Sequence, residues 1–268
     1  MLVSQNKCIF IFCVCQYLLV SGCQKTTTAP AITGVADFTI VDAIPNNAEV
    51  IPVINTAEPI EWFGNAYAIP FGWFYQYSIT PGSDTVYVVQ GSDTLNIGPK
   101  ATGQMFYGIL PIQNGRSYSL FLCGADTTSP DYLLTTDTLP YHARNDSTVG
   151  IRFVNLSTGS NPISINLEGS PIGSEAGSLA YKSITGLRNY ISNSSVTYGG
   201  YSFVFRDATT GDSLAIESLA GFGSSFGVGL QDPFSFGPLV FKNITIALIG
   251  QPEANSPVPL QTIVIDNY

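Results

Sequence analysis

The sequence predicts an all-β protein in which two immunoglobulin-like β-sandwich units follow a lipoprotein signal peptide. Three observations predict this fold class. Charged residues make up only 11% of the chain, whereas 26 glycines, 17 prolines and 12% aromatic residues are typical of an extracytoplasmic all-β protein with many turns. Short runs of alternating apolar and polar residues recur between turn signals such as TPGSD and QNG. Five of these segments occur twice in the same order, which indicates internal duplication.

The duplicated segments lie 112 to 129 residues apart. The first copies are FTIVDA from Phe38, VIPVINTAEPI from Val50, YVVQGSDTLNI from Tyr87, RSYSLFLCG from Arg116 and LLTTD ending at Asp137. The second copies are IRFVNL from Ile151, PISINLEGSPI from Pro162, FVFRDATTGDSLAI from Phe203, KNITIALIG from Lys242 and TIVID ending at Asp266. We therefore expect β-sandwich units at residues 35–139 and 148–268, joined by a linker at residues 140–147.

Residues 1–22 have the pattern of a signal peptide. Lys7 is the only charged residue among them, and the 13-residue run from Cys8 to Val20 is largely apolar. A membrane-spanning helix needs roughly 20 apolar residues, so this run is too short to remain in the bilayer as an anchor. The Thr-rich segment at residues 24–34 has no apolar periodicity, and we expect residues 23–34 to form a flexible tether.

The end of the apolar run, Val20-Ser21-Gly22-Cys23, resembles the bacterial lipobox. This resemblance implies that Cys23 is acylated, with palmitate among the expected acyl chains, and becomes the mature N-terminus. Two or more acyl chains give a stable membrane anchor, because each buried CH₂ contributes about 0.8 kcal/mol. Gln24 stands where Asp often signals retention in the inner membrane, which favours the outer membrane as the location.

Composition excludes several classes of function. Removing the signal peptide removes only Lys7, which takes the formal net charge from −9 to about −10. Such an acidic chain repels phosphate backbones, so we expect no nucleic-acid partner. His142 is the sole histidine, and we expect neither a metal site nor a cofactor. The acidic stretch DATTGD at residues 207–212 reads as a hairpin turn rather than a calcium loop.

Cys123 is the only cysteine in the predicted folded part outside the signal region and Cys23. It aligns with Ile249 in the duplication, directly before the matched glycines Gly124 and Gly250. We therefore expect Cys123 to be a small buried hydrophobic residue and not a reactive thiol.

Two stretches, SLFLCGADTTSPDYLLTTDTLP and VGIRFVNLSTGSNPISINLEGSPI, carry a family resemblance. Together with the lipobox, they are similar to Bacteroidota-type lipoproteins of the domain-of-unknown-function 4397 family, over roughly residues Ala36 to Asp266. The resemblance implies a β-sandwich fold and a location in the cell envelope. It implies no activity, since the family has none assigned.

The densest aromatic region, NAYAIPFGWFYQYSI at residues 65–79, offers two interpretations. In one extended strand its odd-numbered positions would share a face, which could stack against sugar rings or could be buried as core. Pro70 and Gly72 favour an edge strand or an irregular one. The candidate ligand-binding residues are Trp62, Tyr67, Phe71, Trp73, Tyr75 and Tyr77.

Catalytic readings have weaker support. The sequence GSSFG at residues 223–227 matches a nucleophile-elbow pattern, but His142 lies upstream of it and reads as a solvated linker residue. Glu58 and Glu61 are the only pair of acids that we would assign to a glycosidase-like site. We therefore predict no catalytic residues.

Six Asp-Ser or Asp-Thr steps followed by an aliphatic residue or Thr resemble the O-glycosylation signal of Bacteroidota extracytoplasmic proteins. The candidate acceptors are Thr85, Thr94, Thr127, Thr138, Ser147 and Ser213. Turn chemistry explains the same pattern, because Asp accepts hydrogen bonds from the next backbone amides.

The sequence thus predicts a non-enzymatic outer-membrane or surface lipoprotein that acts as a binding, adhesion or envelope-structural module. Its expected partners are the membrane, through the N-terminal lipid, and a glycan or an envelope protein. The alternative is a glycan-binding accessory protein that uses the aromatic region of the first unit. A secreted hydrolase comes third.

Overall fold

The computed structural model describes residues 34–46, 49–55, 68–91, 103–143, 148–192, 200–219, 241–253 and 256–267, and the backbone at 61–62 and 65–66. The predicted signal peptide and most of the tether, GSSFG, Glu58, Tyr67, Thr94 and Ser147 lie outside these residues. The strands of the described part are β1 (Ala36–Asp42), β2 (Glu49–Ile54), β3 (Glu61–Trp62), β4 (Asn65–Ala66), β5 (Ile69–Pro70), β6 (Phe74–Ile79), β7 (Gly82–Gln90), β8 (Gln104–Ile112), β9 (Ser117–Gly124), β10 (Pro130–Asp137), β11 (Thr148–Asn155), β12 (Ile163–Leu167), β13 (Ala176–Leu179), β14 (Ser183–Ile184), β15 (Arg188–Ile191), β16 (Tyr201–Asp207), β17 (Ser213–Leu219), β18 (Asn243–Ile249) and β19 (Gln261–Asp266). The prediction of an all-β fold is confirmed.

Each large sheet takes its strands from one half of the chain, so we call β1–β10 the first module and β11–β19 the second module. The first module has sheets of order β5-β2-β7-β8 and β10-β9-β1-β6. The second module has sheets of order β13-β12-β16-β17 and β14-β11-β18-β19, with β15 also paired to β11. Strand β1 runs parallel to β9, and β11 runs parallel to β18. The strand order of the two modules is therefore the same.

Three buried clusters show that the four large sheets stack in layers. Phe38, Leu120 and Val88 belong to the core between the two sheets of the first module. Phe153 and Phe205 belong to the corresponding core of the second module. The third cluster lies between the modules and takes its buried members from β1, β9, β11, β18, β19 and the residues that directly follow β1 and β11.

This third cluster covers one face of the sheets β10-β9-β1-β6 and β14-β11-β18-β19, which we call the inner sheets, so both faces of each inner sheet are buried. The other sheet of each module is its outer sheet. Val41 and Phe121 of the first module pack with Val154 and Ala247 of the second. Strand β18 is consequently buried along its whole length, and its sequence NITIALI is nearly continuously apolar. Each fully buried large side chain of this kind contributes about 1.5–3 kcal/mol to folding.

The duplication is in register for two of the five predicted segments. Phe38 and Ile151 both face their module core, and Cys123 and Ile249 both lie in the cluster between the modules. Gly124 and Gly250 both have positive φ, of 124° and 91°. These matches are the ones on the inner sheets.

The other matches are shifted by one residue from the predicted alignment. Asp137 pairs with Ser117, whereas the residue opposite Asn243, the equivalent of Ser117, is Asn267 and not Asp266. A one-residue shift matters because it moves a side chain to the other face of the sheet.

The outer strands show the same shift. The predicted alignment matches Ile51 and Tyr87 with core residues of the second module. In the structure, the residues before them, Val50 and Val86, lie in the core of the first module instead. The strand that follows β7 in the chain and pairs with it is β8, at Gln104–Ile112, and the LNI run expected to form that pair lies outside the described residues. Within the described residues, the model contains no helix of the length and hydrophobicity that a bilayer span requires.

Candidate functional site

The predicted aromatic row is divided by a turn, so its members do not share one face. Gly72 adopts a φ of 77° in this turn, and its amide donates to Asp42 O at 2.8 Å. Strand β6 begins only at Phe74, and it is an edge strand, as Pro70 and Gly72 had indicated. The row is therefore not one continuous extended strand, because a turn at residues 70–73 interrupts it, which agrees with the irregular strand that Pro70 and Gly72 favoured.

The described aromatic candidates have three different environments. Tyr75 and Tyr77 pack against the core of the first module. Phe71 packs against the cluster between the modules. Trp73 is 41% exposed and is the candidate of this row that the structure leaves most open to a ligand. Trp62 lies in β3, which pairs with β4.

A second aromatic pair, which the sequence did not single out, lies on β7 and β8. The rings of Tyr87 and Tyr107 stack with centroids 5.9 Å apart and planes within 9°. Tyr107 is 42% exposed, and Ile109 beside it on β8 is 63% exposed. Alternation along β7 and β8 places this pair on the face away from the core.

The described candidate acceptors for O-glycans differ in exposure. Thr138 and Ser213 are exposed, whereas Thr85 and Thr127 are half-buried. The Asp residues before Thr85 and Thr138, Asp84 and Asp137, are buried, so these two carboxylates serve the fold.

Turn chemistry is present at Asp126. Asp126 Oδ1 accepts hydrogen bonds from the Thr128 hydroxyl at 2.7 Å and from the Thr128 amide at 2.8 Å, and these bonds lower the pKa of Asp126. The DATTGD segment forms the predicted hairpin turn between β16 and β17, in which Gly211 N donates to Asp207 O at 2.8 Å.

His142 is buried, which corrects the expectation of a solvated linker histidine. Its ring nitrogens lie 3.0 Å from Thr148 Oγ1 and 3.0 Å from Asn243 Oδ1. Asn243 Nδ2 in turn donates to Pro140 O at 2.9 Å. The residues after β10 are thus fixed to β11 and β18 by side-chain hydrogen bonds.

Cys123 is fully buried, as the duplication predicted. Burial raises the pKa of its thiol from 9.0 to about 11. A thiol with this pKa remains protonated at neutral pH and is a poor nucleophile.

A cleft of about 500 Å³ opens at one edge of the second module. One side is β13, the edge strand of the outer sheet, and the other side is residues 185–188, which join β14 to β15 at the edge of the inner sheet. Its lining includes Gly177, Gly186, Glu175 and Arg188. Its volume lies within the usual range for ligand sites, about 300–1,000 Å³.

Glu175 organises the charged end of this cleft. Its Oε2 accepts from Arg188 Nη1 at 3.2 Å and from the Tyr190 hydroxyl, and its Oε1 accepts from Ser174 Oγ at 3.1 Å. Arg188 Nη1 also donates to Ser174 O at 3.0 Å. Burial and the hydrogen bond to Glu175 raise the pKa of Tyr190, so the phenol remains a donor. The Glu175 side chain is 10% exposed and that of Arg188 is 56% exposed.

This cleft was not predicted from the sequence, whose alternative interpretation put a glycan-binding surface on the first unit. The available signal was glycine inside strand-like sequence, at Gly177 in EAGSL and Gly186 in SITGLRN. Within the described residues, no group of three or more His, Cys, Asp or Glu side chains is arranged to hold a metal ion.

Comparison with known proteins gives little further information. No family model and no curated protein matches the chain. Among solved structures, the chain is similar to the tip fimbrial protein Mfa3 from Porphyromonas gingivalis with C-terminal truncation, at 10% identity over 87% of this chain and 99% of that chain, with a TM-score of 0.21. It is also similar to a candidate adhesin from Bacteroides ovatus, at 13% identity over 87% of this chain and 92% of that chain, with a TM-score of 0.22. TM-scores this low carry no inference about function.

Proposed function

We propose that the chain is a non-catalytic lipoprotein of the outer membrane, anchored through Cys23, that acts as a binding, adhesion or structural module at the cell envelope. The observation that carries this proposal is the buried contact between the two modules. A module that holds a partner at a fixed distance from a membrane needs a body that does not bend between its units.

Polar contacts around the apolar cluster reinforce this joint. Arg152 Nη1 of the second module lies 2.7 Å from Asp137 Oδ1 of the first, with both side chains buried. Gln76 Nε2 donates to Asp266 O at 2.5 Å, and Gln251 Nε2 donates to Ala125 O at 2.9 Å. These bonds connect the modules at separate points, which opposes rotation of one module on the other.

Radiolabelled palmitate tests the anchored location. The wild-type chain expressed in a Bacteroidota host should incorporate the label and sediment with the outer membrane. A Cys23→Ser variant, which lacks the acceptor thiol, should remain unlabelled and be recovered in the soluble fraction. An unlabelled wild-type chain would overturn the proposal of lipid anchoring.

A second candidate function is glycan binding, and the exposure of Trp73 favours it. Flat aromatic faces stack on the CH faces of sugar rings, and Trp73 is 41% exposed. A glycan array probed with residues 34–268 should show binding that Trp73→Ala removes and Tyr141→Ala preserves. Tyr141 is a suitable control because it is 89% exposed. A blank array would favour the structural role.

A further inference from the structure

The cleft of the second module lies between two strand edges. Strand β13 pairs with β12, and β14 and β15 pair with β11, so among the described strands each is an edge strand. Strand β13 and residues 185–188, at the start of β15, line the cleft. An edge strand presents unpaired backbone N–H and C=O groups, which can pair with another extended chain.

Each of these edges carries one extra residue. In the ladder between β12 and β13, Ile163 is opposite Leu179 and Ile165 is opposite Ala176. An advance of two residues along β12 therefore corresponds to three residues along β13. On the other side of the cleft, Ile184 is opposite Val154 and Arg188 is opposite Ile151. An advance of three residues along β11 therefore corresponds to four residues from Ile184 to Arg188. Among the described residues, Gly177, Ser178, Gly186 and Leu187 therefore have no ladder partner. Bulges of this kind re-aim the local backbone.

The first module provides an internal comparison. Its strand β6 is the equivalent of β14 with β15, and it pairs with β1 without interruption from Ala36–Ile79 to Val41–Phe74. The interruption is therefore not required by the shared strand order of the modules.

The fold does not require glycine at the two bulges. Neither Gly177 nor Gly186 has a positive φ, and a Cβ added at either residue would meet no atom within 4 Å. Gly173 beside them differs, because its φ is 76° and a Cβ there would lie 3.0 Å from Gly177 Cα. Glycine within a strand costs about 0.5–1 kcal/mol relative to alanine, and it is typical of places where another backbone approaches closely.

The charged end of the cleft defines the chemistry of the ligand. Glu175 is enclosed by Arg188, Tyr190 and Ser174, so the carboxylate is occupied and holds the guanidinium in place. The contacts of Arg188 use Nη1, which leaves Nε and Nη2 as donors on a half-exposed side chain. A guanidinium with two remaining donors is suited to a carboxylate.

We propose that this cleft binds an extended peptide segment of a partner protein, whose main chain pairs with the edge of β13 and whose acidic side chain or C-terminal carboxylate contacts Arg188. The proposal names the ligand class for the binding role proposed above. It depends on the chain being a binding module, and not on lipid anchoring or on Trp73.

The experiment is a selection from a displayed library of random linear octapeptides against immobilised residues 34–268. The enriched peptides should share an acidic residue at one fixed position or at the C-terminus. A synthetic peptide of the leading sequence should lose roughly 10- to 100-fold in affinity with Arg188→Gln, while Arg116→Gln, an exposed arginine of the first module, should leave its affinity unchanged.

Two further measurements test the main-chain pairing. Gly177→Leu and Gly186→Leu should each block binding, and their unfolding midpoints show whether they stay folded. Gly177→Ala and Gly186→Ala should keep the wild-type midpoint, because a Cβ has open space at both positions. N-methylation of alternate residues in the peptide should also remove binding, since it removes backbone donors.

Three outcomes would overturn the proposal: no enrichment above an uncoated surface, enriched peptides without a common acidic residue, or equal binding to wild type and Arg188→Gln. Dimerisation of the chain that depends on Arg188 would also contradict it, because the occupant would then be a second copy. Each outcome is independent of palmitate incorporation, so failure here is distinguishable from failure of the proposed membrane location.

Discussion

Arg152 and Asp137 form a buried ion pair that joins the two modules, with 2.7 Å between Nη1 and Oδ1. Their neighbours extend the pair into a polar network. Arg152 Nε donates to Thr245 Oγ1 at 2.7 Å, and Ser119 Oγ donates to Asp137 Oδ2 at 2.5 Å. Thr245 also donates to Asn267 Oδ1 at 2.5 Å, which repeats the Ser119–Asp137 pair of the first module.

Removal of one partner of this pair should strongly destabilise the protein. We expect Asp137→Ala to lower the free energy of unfolding by about 3–5 kcal/mol, because it leaves the Arg152 charge buried without its partner. Asp131→Ala removes the half-exposed pair with Lys182 and should cost about 1 kcal/mol or less. Urea unfolding of both variants measures the difference. Both pairs join the two modules, so equal losses would mean that burial does not make the Asp137–Arg152 pair the stronger of the two contacts.

The raised pKa of Cys123 predicts a pH dependence of stability. Between pH 9 and pH 11 the unfolded thiol, with a pKa of 9.0, has lost its proton, whereas the folded thiol retains it up to a pKa of about 11. The unfolded state then binds fewer protons, so stability should fall as pH rises through this window, by about 2–3 kcal/mol in total. Unfolding at pH 8 and pH 11 should show this loss as the difference between wild type and Cys123→Ala, because buried tyrosines with raised pKa values, such as Tyr190, contribute equally to both proteins. Parallel pH profiles for the two proteins would contradict the assignment.

Gly124 and Gly250 should both be intolerant of a side chain. A Cβ at Gly124 would lie 2.4 Å from Ser129 O, and one at Gly250 would lie 2.4 Å from Pro259 O. With the strain of positive φ added, each alanine substitution should cost roughly 2 kcal/mol or more. Gly115→Ala is the control, since its φ is 66° but a Cβ there meets nothing within 4 Å. In thermal unfolding, the midpoint temperature of Gly115→Ala should be clearly higher than those of Gly124→Ala and Gly250→Ala.

The shared cluster between the modules should make them unfold together. Both tryptophans of the chain, Trp62 and Trp73, belong to the first module, so their fluorescence follows the unfolding of that module. Ile249→Ala in the second module should nevertheless shift the fluorescence transition, because Ile249 packs against the first module. The change in unfolding midpoint measured by fluorescence should equal the change measured by circular dichroism. A fluorescence transition identical to wild type would show that the modules unfold independently.

Local alternation was sufficient to predict the strands that face one core. Tyr118, Leu120 and Leu122 alternate with the other residues of β9, and the structure places all three in the core of the first module. Strand type and the two β-sandwiches were accessible in this way, whereas the burial of Cys123 was predicted from its match to Ile249 in the duplication.

Contacts on the second face of the inner sheets were not predicted. Phe121 and Cys123 occupy the positions between those core residues, and they are buried because a second module covers that face. The signal was present in the continuous apolar runs of β9 and β18, which are typical of strands buried on both faces. Arg152 lies within such an apolar run, in β11. Because a buried charge requires a polar partner, its position indicated that a partner would be buried beside it.

The cleft and the division of the aromatic row depend on long-range geometry. Whether Trp73 continues a strand or ends a turn is decided by the pairing of Gly72 with Asp42, 30 residues earlier in the chain. The meeting of β13 with β14 and β15 follows from the stacking of two sheets, which local periodicity does not encode.

The position of β1 also determines how the protein responds to mechanical load. Strand β1 lies between β9, which is parallel to it, and β6, which is antiparallel, with six residue pairs on each side. Tension applied at Gly34 acts along β1, and the ladder bonds run across the strand, so both ladders are sheared at once instead of being peeled open bond by bond. A pull through the proposed N-terminal anchor would therefore load β1 in shear along both ladders.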